Sequence, residues 1–245
     1  MNQVMHFNFE SHAITHPGRV RKINEDACIS RDNIGLWAVA DGMGGHSAGD
    51  VASQNVVMAL NLVSPPASLS GFVDDVESQL FKCNATLKAI SANELNNRTI
   101  GSTLASLLIY QNYCAYMWVG DSRVYRLRAG KLNQLSRDHS QVEEMIEQGL
   151  LLRENAETHP DANIITRAIG ANDSLYVDIN VDEVNDGDIF LLCSDGLSKH
   201  MTFKELETVL SHGSVIDICS QLINITLDRG ATDNVTASVI KVQQK

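Results

Sequence analysis

Apolar positions fall along the chain in two rhythms, and the changes between them mark out the elements. Residues up to about Ser30 read as extended structure broken at His16-Pro17-Gly18-Arg19. The continuously apolar run from Gly35 to Ala40 reads as a short buried strand. Ser47 and Asp50 then stand at capping-box spacing, and Ala52, Val56, Ala59, Leu60 and Val63 recur at helical intervals. They predict an amphipathic helix ended by Ser64-Pro65-Pro66, with a second helix from roughly Phe72 to Ala92. Residues 99–135 change to apolar and β-branched runs separated by "QN", "GDS" and "AGK", which predicts an antiparallel meander. Ser140 and Glu143 form another capping box, and Gly149 ends the helix it opens. Residues 150–166 are polar and irregular, the pattern of a mobile insertion. A strand over 188–194, a helix over 215–230 and a strand over 234–242 complete the chain. Strict strand–helix alternation is absent, so the expected class is α+β, with antiparallel sheets covered by helices.

Composition narrows the functions. The 245 residues suffice for one large core, and no linker, repeat or low-complexity tract divides them, so a single domain over 1–245 is expected. A net charge of −11 argues against a nucleic-acid partner, which requires a basic face. It suits carboxylates gathered around cations, and equally a plain acidic surface. The five cysteines are widely spaced without C-x-x-C, which points to a reducing compartment. The first residues lack the features of a signal peptide, and no apolar run has the length of a membrane span. A cytoplasmic protein without membrane contact is expected.

The informative feature is where acids stand relative to apolar strands. Asp41 ends "LWAVA", Asp121 ends "YCAYMWVG", Asp195 ends "IFLLCS", Asp233 precedes "NVTASVI", and Glu25-Asp26 borders another short apolar segment. Strand ends of one sheet system can meet at one edge. Two carboxylates 4 Å apart repel by roughly 4 kcal/mol at an effective dielectric near 20, so such a cluster calls for cations. All-oxygen donors suit Mg²⁺ or Mn²⁺. A pair of such ions about 3.5–4 Å apart can deprotonate a water and hold a phosphoryl oxygen. Asp-Gly after a strand is also ordinary turn chemistry, the default for any one of these acids taken alone. The repetition of the pattern at Asp41-Gly42 and Asp195-Gly196 shifts the balance toward metal. Arg21, five residues before Asp26, can bind phosphate with its planar fork; standing alone it would be a surface arginine.

Other chemistries lack their residues. Ser47 occupies the third glycine's place in a G-x-G-x-x-G reading of residues 42–47, and no P-loop exists. "SRDHSQ" lacks the rest of the kinase set. No cysteine has an arginine six positions on, no G-x-S-x-G elbow occurs, and the eight histidines are scattered.

"RVRKINEDA", "VADGMGGHSAGD", "GSTLA", "VGDSRVYRLRAGKL", "DHSQVEEMIEQG", "ITRAIG", "LLCSDGL" and "ATDNVT" follow one another in the order of the metal-dependent protein phosphatase family, type 2C. Over about residues 10–242 the chain resembles the small bacterial single-domain members. The resemblance implies a four-layer α-β-β-α sandwich, with two antiparallel sheets packed face to face and helices on both outer sides. It implies hydrolysis of phosphoserine and phosphothreonine by metal-activated water, with two Mn²⁺ or Mg²⁺ ions in the core site and room for a third. On this resemblance Glu25, Asp41, Asp195, Asp233 and the Gly42 carbonyl hold the two ions. Asp26 bonds their waters, Arg21 binds the substrate phosphate, and Asp121 joins Asp195 around the third ion. Residues 138–167 match a mobile flap. The partners implied are phosphorylated proteins and a Ser/Thr protein kinase, the enzyme acting as a monomer. Met43 stands where many eukaryotic members have a histidine that is a proposed proton donor. His46 and a water on the third ion are the two substitutes, and His46 reads as well as a polar residue ahead of a helix. Two rivals stand beside this reading: a catalytically inert regulatory module, whose mark would be a lost metal acid, and a hydrolase of small phosphoesters.

Overall fold

Most strands carry apolar residues on both faces, so each sheet needs a cover on either side. A computed structural model, which describes residues 7–44, 48–95 and 98–245, meets that need with two antiparallel sheets packed together and helices outside them. One sheet runs in the order β1 (Phe7–His16), β11 (Val235–Gln244), β10 (Ile189–Cys193), β7 (Arg123–Arg128), β8 (Lys131–Gln134). The other runs β2 (Asp26–Arg31), β3 (Leu36–Gly44), β5 (Leu104–Tyr110), β6 (Tyr113–Val119), β9 (Asp178–Glu183), with β4 (Ile100–Ser102) paired to the end of β3. Helices α1 (Gly49–Asn61) and α2 (Leu69–Glu94) cover the second sheet. Helices α4 (Asp195–Ser198), α5 (Phe203–Leu210) and α6 (Val215–Asp228) cover the first. The short α3 (Gln141–Glu147) belongs to the long connection from β8 to β9. This is the four-layer sandwich that the resemblance implies.

Strand β3 shows how the sequence makes the layers. Leu36, Ala38 and Ala40 pack outward with Val56, Leu60, Leu80 and Leu87 of the helices. Trp37 and Val39 point the other way and meet Phe190, Leu192 and Ile240 of the opposite sheet. The Trp37 indole is fully buried, stands edge-on to Phe9 with ring centroids 5.0 Å apart, and donates its N–H to Asp32 Oδ1 at 2.7 Å. Each fully buried large side chain of this kind contributes about 2 kcal/mol relative to exposure. A third cluster joins Leu191, Cys193, Val235 and Val239 to Leu206, Ile218 and Leu222.

The predicted elements differ from the observed ones in four places. Residues 99–135 do not form one meander: β5 and β6 lie in one sheet, β7 and β8 in the other. The chain crosses between sheets at Gly120-Asp121-Ser122, where Gly120 takes φ +93°. Helix α1 begins after Ala48, which makes no side-chain cap; Ser47 lies outside the described residues. Ser140 does accept from the Glu143 N–H, but the Glu143 carboxylate turns to Arg137 and Arg153 instead of closing the box. Complete capping boxes stand at Thr202/Glu205 and Ser214/Asp217. The pattern also missed β9, α4 and α5. Gly149, at φ +70°, ends α3 as expected. No helix among the described residues is long and apolar enough to cross a membrane.

Candidate metal centre

Alternation places the first acid. Asp41 lies two residues beyond Val39, so it continues the face that looks between the sheets, but at the end of the sandwich where the apolar filling stops. Asp26 is its cross-strand partner on β2. The opposite sheet delivers Asp195 two residues after the end of β10, as the first residue of α4, and Asp233 two residues before β11. Asp121 arrives on the crossing between sheets. A cavity of about 540 Å³ at this end is lined by Arg21, Glu25, Asp41, Gly42, Asp121, Asp195 and Asp233. Asp26 lies buried beneath it.

Backbone and hydroxyl groups fix these positions. The Asp41 N–H donates to Thr103 Oγ1 at 3.0 Å, the Thr103 N–H returns to the Asp41 carbonyl at 2.8 Å, and Thr103 Oγ1 lies 2.7 Å from Ser122 Oγ. The Glu25 N–H donates to Asn234 Oδ1 at 2.8 Å, and the Asn234 amide bonds the carbonyls of Pro17 and Ile23. Asp26 Oδ2 accepts from Ser194 Oγ at 2.8 Å and Thr236 Oγ1 at 2.6 Å. Glu25 Oε1 accepts the Gly49 N–H at 3.0 Å, at the first turn of α1. A Cβ on Gly49 would lie 2.6 Å from Glu25 Oε1 and 2.7 Å from the Gly42 carbonyl oxygen, so these two oxygens converge on the same side of that residue.

The acids strain against their surroundings. Burial, and then the charges of Asp26, Asp195, Asp121 and Asp233, push the Asp41 carboxyl well above the usual range. Burial raises Asp26 to about 6 against the hydrogen bonds that favour its ionised form. Asp121 rises to about 7 by burial and the neighbouring Asp195. Glu25 is raised by burial as well. Two carboxylate oxygens, Asp26 Oδ1 and Asp195 Oδ1, are buried without a hydrogen-bond partner. Among the described residues two cations bond the cluster's carboxylates directly: Arg21 Nη2 bonds Asp233 Oδ2 at 2.9 Å, and the Lys199 ammonium bonds Asp195 Oδ2. Among the described residues no three acidic, histidine or cysteine side chains are grouped tightly enough to hold an ion as they stand. The donor set nevertheless fits hard divalent cations: every donor is oxygen, two are orphaned, and the acids outnumber the cations that bond them.

The structure thus brings Arg21, Glu25, Asp26, Asp41, Gly42, Asp121, Asp195 and Asp233 to one end of the sandwich. His46 lies outside the described residues. Met43 lines the cavity, so the residue after Asp41-Gly42 offers no proton. Sequence reasoning missed Thr103, Ser194 and Thr236. The last had a signal: in "NVTASVI" a hydroxyl alternates with valine and alanine, which a wholly apolar interior would not require.

His139 was missed too. It is buried with its ring stacked on Trp118 at 6.1 Å, and Nδ1 accepts the Gly120 N–H at 3.1 Å. The His139 N–H donates to the Gly120 carbonyl at 2.9 Å, and its own carbonyl takes the Thr166 N–H at 2.8 Å. Nε2 lies 3.3 Å from Asp178 Oδ2, so the neutral ring carries its proton there, and burial holds its pKa below the ordinary value. One residue therefore joins both ends of the 138–167 segment to the peptide just before Asp121. His139→Ala is expected to lose about 2 kcal/mol of stability and roughly tenfold in turnover. His139→Asn, which keeps an acceptor for Gly120, should recover part of both; denaturant melts and steady-state kinetics check this.

The family model described as Protein phosphatase 2C matches residues 19–236. The serine/threonine phosphatase stp of Listeria monocytogenes is 34% identical over 97% of this chain and 96% of its own length. The structure of PppA, a key regulatory component of T6SS in Pseudomonas aeruginosa, is similar at 39% identity with a TM-score of 0.89, covering 98% of this chain and 100% of that one. The catalytic domain of the serine/threonine protein phosphatase PstP, solved in complex with two manganese ions, is similar at 31% identity with a TM-score of 0.88, covering 97% and 100%. With an acid-lined cleft between two sheets and a match over nearly its whole length, the chain belongs to the protein phosphatase 2C family of metal-dependent serine/threonine phosphatases.

Proposed function

We propose that Glu25, Asp41, the Gly42 carbonyl, Asp195 and Asp233 are the ligands through which this phosphatase holds two Mn²⁺ or Mg²⁺ ions, and that phosphoserine and phosphothreonine of proteins are hydrolysed in the cavity they line. The observation that carries the assignment is the stranded negative charge: burial raises the pKa values of Asp26, Asp41 and Asp121, and one buried oxygen each of Asp26 and Asp195 has no hydrogen-bond partner. When bound, the two ions lower the pKa of a water and neutralise phosphoryl charge. The chain's own residues do the rest. Ser194 and Thr236 pin Asp26 through Oδ2, leaving Oδ1 free to accept a hydrogen bond from a water and orient it. Asp233 holds the Arg21 guanidinium at the rim, where its remaining N–H groups can take phosphate oxygens bidentately.

The wider reading has one catalytic domain over 1–245 whose 138–167 segment works as a flap. The enzyme would be a cytoplasmic monomer acting on phosphoproteins made by a Ser/Thr protein kinase. The five cysteines, all free, support a reducing compartment.

The test is phosphate release from a phosphothreonine peptide by metal-stripped protein, with and without Mn²⁺. Release is expected only with Mn²⁺, and faster from the peptide than from a nucleotide. Release without metal would remove the assignment. No release from folded, Mn²⁺-supplied protein would favour an inert regulatory module.

A further inference from the structure

Lys199 is the one element of the cluster that neither the turn reading nor the metal reading requires. It lies one turn beyond Asp195 in α4, its N–H bonding the Asp195 carbonyl at 2.9 Å, so the helix itself sets the ammonium over the carboxylate. Nζ contacts Asp195 Oδ2 and, from across the cleft, Asn163 Oδ1 at 2.6 Å. Asp195 is thereby divided: Oδ2 is taken by the ammonium, while Oδ1 stays buried without a partner. A second cavity of about 500 Å³ lies under residues 138–167, and Asp121, Asn163, Asp195 and Lys199 line both it and the catalytic cavity. Lys199 and Asn163 thus stand at the boundary between the two, beside the Asp121–Asp195 edge.

We propose that Lys199 is a resident cation that fixes the ion count of this centre at two, its ammonium filling the Asp121–Asp195 edge that a further divalent ion would otherwise occupy. A dication brought to that edge meets a fixed positive charge within a few ångströms, and one of its carboxylate oxygens is already engaged. The inference rests on the two-ion reading above.

Metal-stripped wild-type protein and the Lys199→Met, Lys199→Arg and Asn163→Ala variants are titrated with Mn²⁺, and free ion is followed by its electron paramagnetic resonance signal. Two bound ions are expected in wild type, in Lys199→Arg, which keeps the charge, and in Asn163→Ala, which loses only the bond across the cleft. Lys199→Met is expected to bind a third, at least about tenfold tighter than any third ion on wild type. Equal stoichiometry and affinities in wild type and Lys199→Met, or a third ion gained equally by Asn163→Ala, would overturn the proposal. Wild type that binds no Mn²⁺ would overturn the two-ion reading itself, a result separable from the others. Thermal melts show that each variant is folded, and Lys199→Arg guards against a packing effect.

Discussion

Asp41→Asn is expected to abolish turnover, by at least about a thousandfold, while raising the melting temperature of the metal-free protein. The two effects have one cause. Asp41 is held at the apolar end of β3 among Asp26, Asp195, Asp121 and Asp233, and without ions that charge is a liability. The amide keeps the shape and removes the charge, which should stabilise the metal-free state by about 2 kcal/mol, or roughly 5 °C for a chain of this size. The sign with pH follows from the neighbours. Asp26 and Asp121 titrate at about 6 and about 7 in the fold, against about 4 when unfolded. The stability they contribute is full below about pH 4 and is lost as pH rises through 6 and 7. Wild-type protein without metal should therefore melt lower at pH 8 than its carboxylate-poor variant, with the gap closing toward pH 5. Added Mn²⁺ should raise the wild-type melting temperature more at pH 8 than at pH 5, since the ion competes with protons. Calorimetry of both proteins across this range, beside the phosphopeptide assay, checks all of it. Near-normal activity in the variant would remove Asp41 from the centre.

Gly42→Ala is the second large effect, and it strikes by shape. A Cβ at this position would lie 1.9 Å from the Gly49 carbonyl oxygen, 2.4 Å from its carbon and 2.7 Å from the Glu25 carbonyl oxygen. All three are backbone atoms, so no rotamer relieves the clash; the first turn of α1 must move away from the end of β3. About 3 kcal/mol of destabilisation is expected. Because Glu25 Oε1 is held by the Gly49 N–H, the same shift should weaken Mn²⁺ binding. Ala40→Gly, nearby on β3 and fully buried, separates the effects: it should cost stability through lost packing and backbone entropy but leave ion affinity near wild type. Equal melting temperatures for wild type and Gly42→Ala would show that the close approach is not needed.

Much of this centre was legible before the structure because strand ends are local. Asp41 and Asp195 each follow an apolar run and precede a glycine, and that abruptness needs no tertiary information to be noticed. The partition of strands between sheets was not legible. Alternation in β5–β6 and β7–β8 looks alike, and only the turn at Gly120, which folds one pair away from the other, decides which layer each joins. Strand β9 was hidden by its composition: Asp178, Asp182 and Glu183 on a sheet edge read as loop, although acidic edges are how sheets avoid pairing with other chains. Lys199 was invisible for a different reason. Its spacing from Asp195 acquires meaning only once Asp195 is known to start a helix.

The pairing of β1 with β11 along their whole length, from Phe7 opposite Gln244 to His16 opposite Val235, bears on the protein's birth as well as its chemistry. Arg21, Glu25 and Asp26 find their partners Asp233, Asn234 and Thr236 about two hundred residues later in the chain. Until residues 233–236 are made, a growing chain therefore holds half a centre with nothing to close it. The centre can close only once β11 has paired between β1 and β10, so its assembly waits on contacts of very high sequence separation.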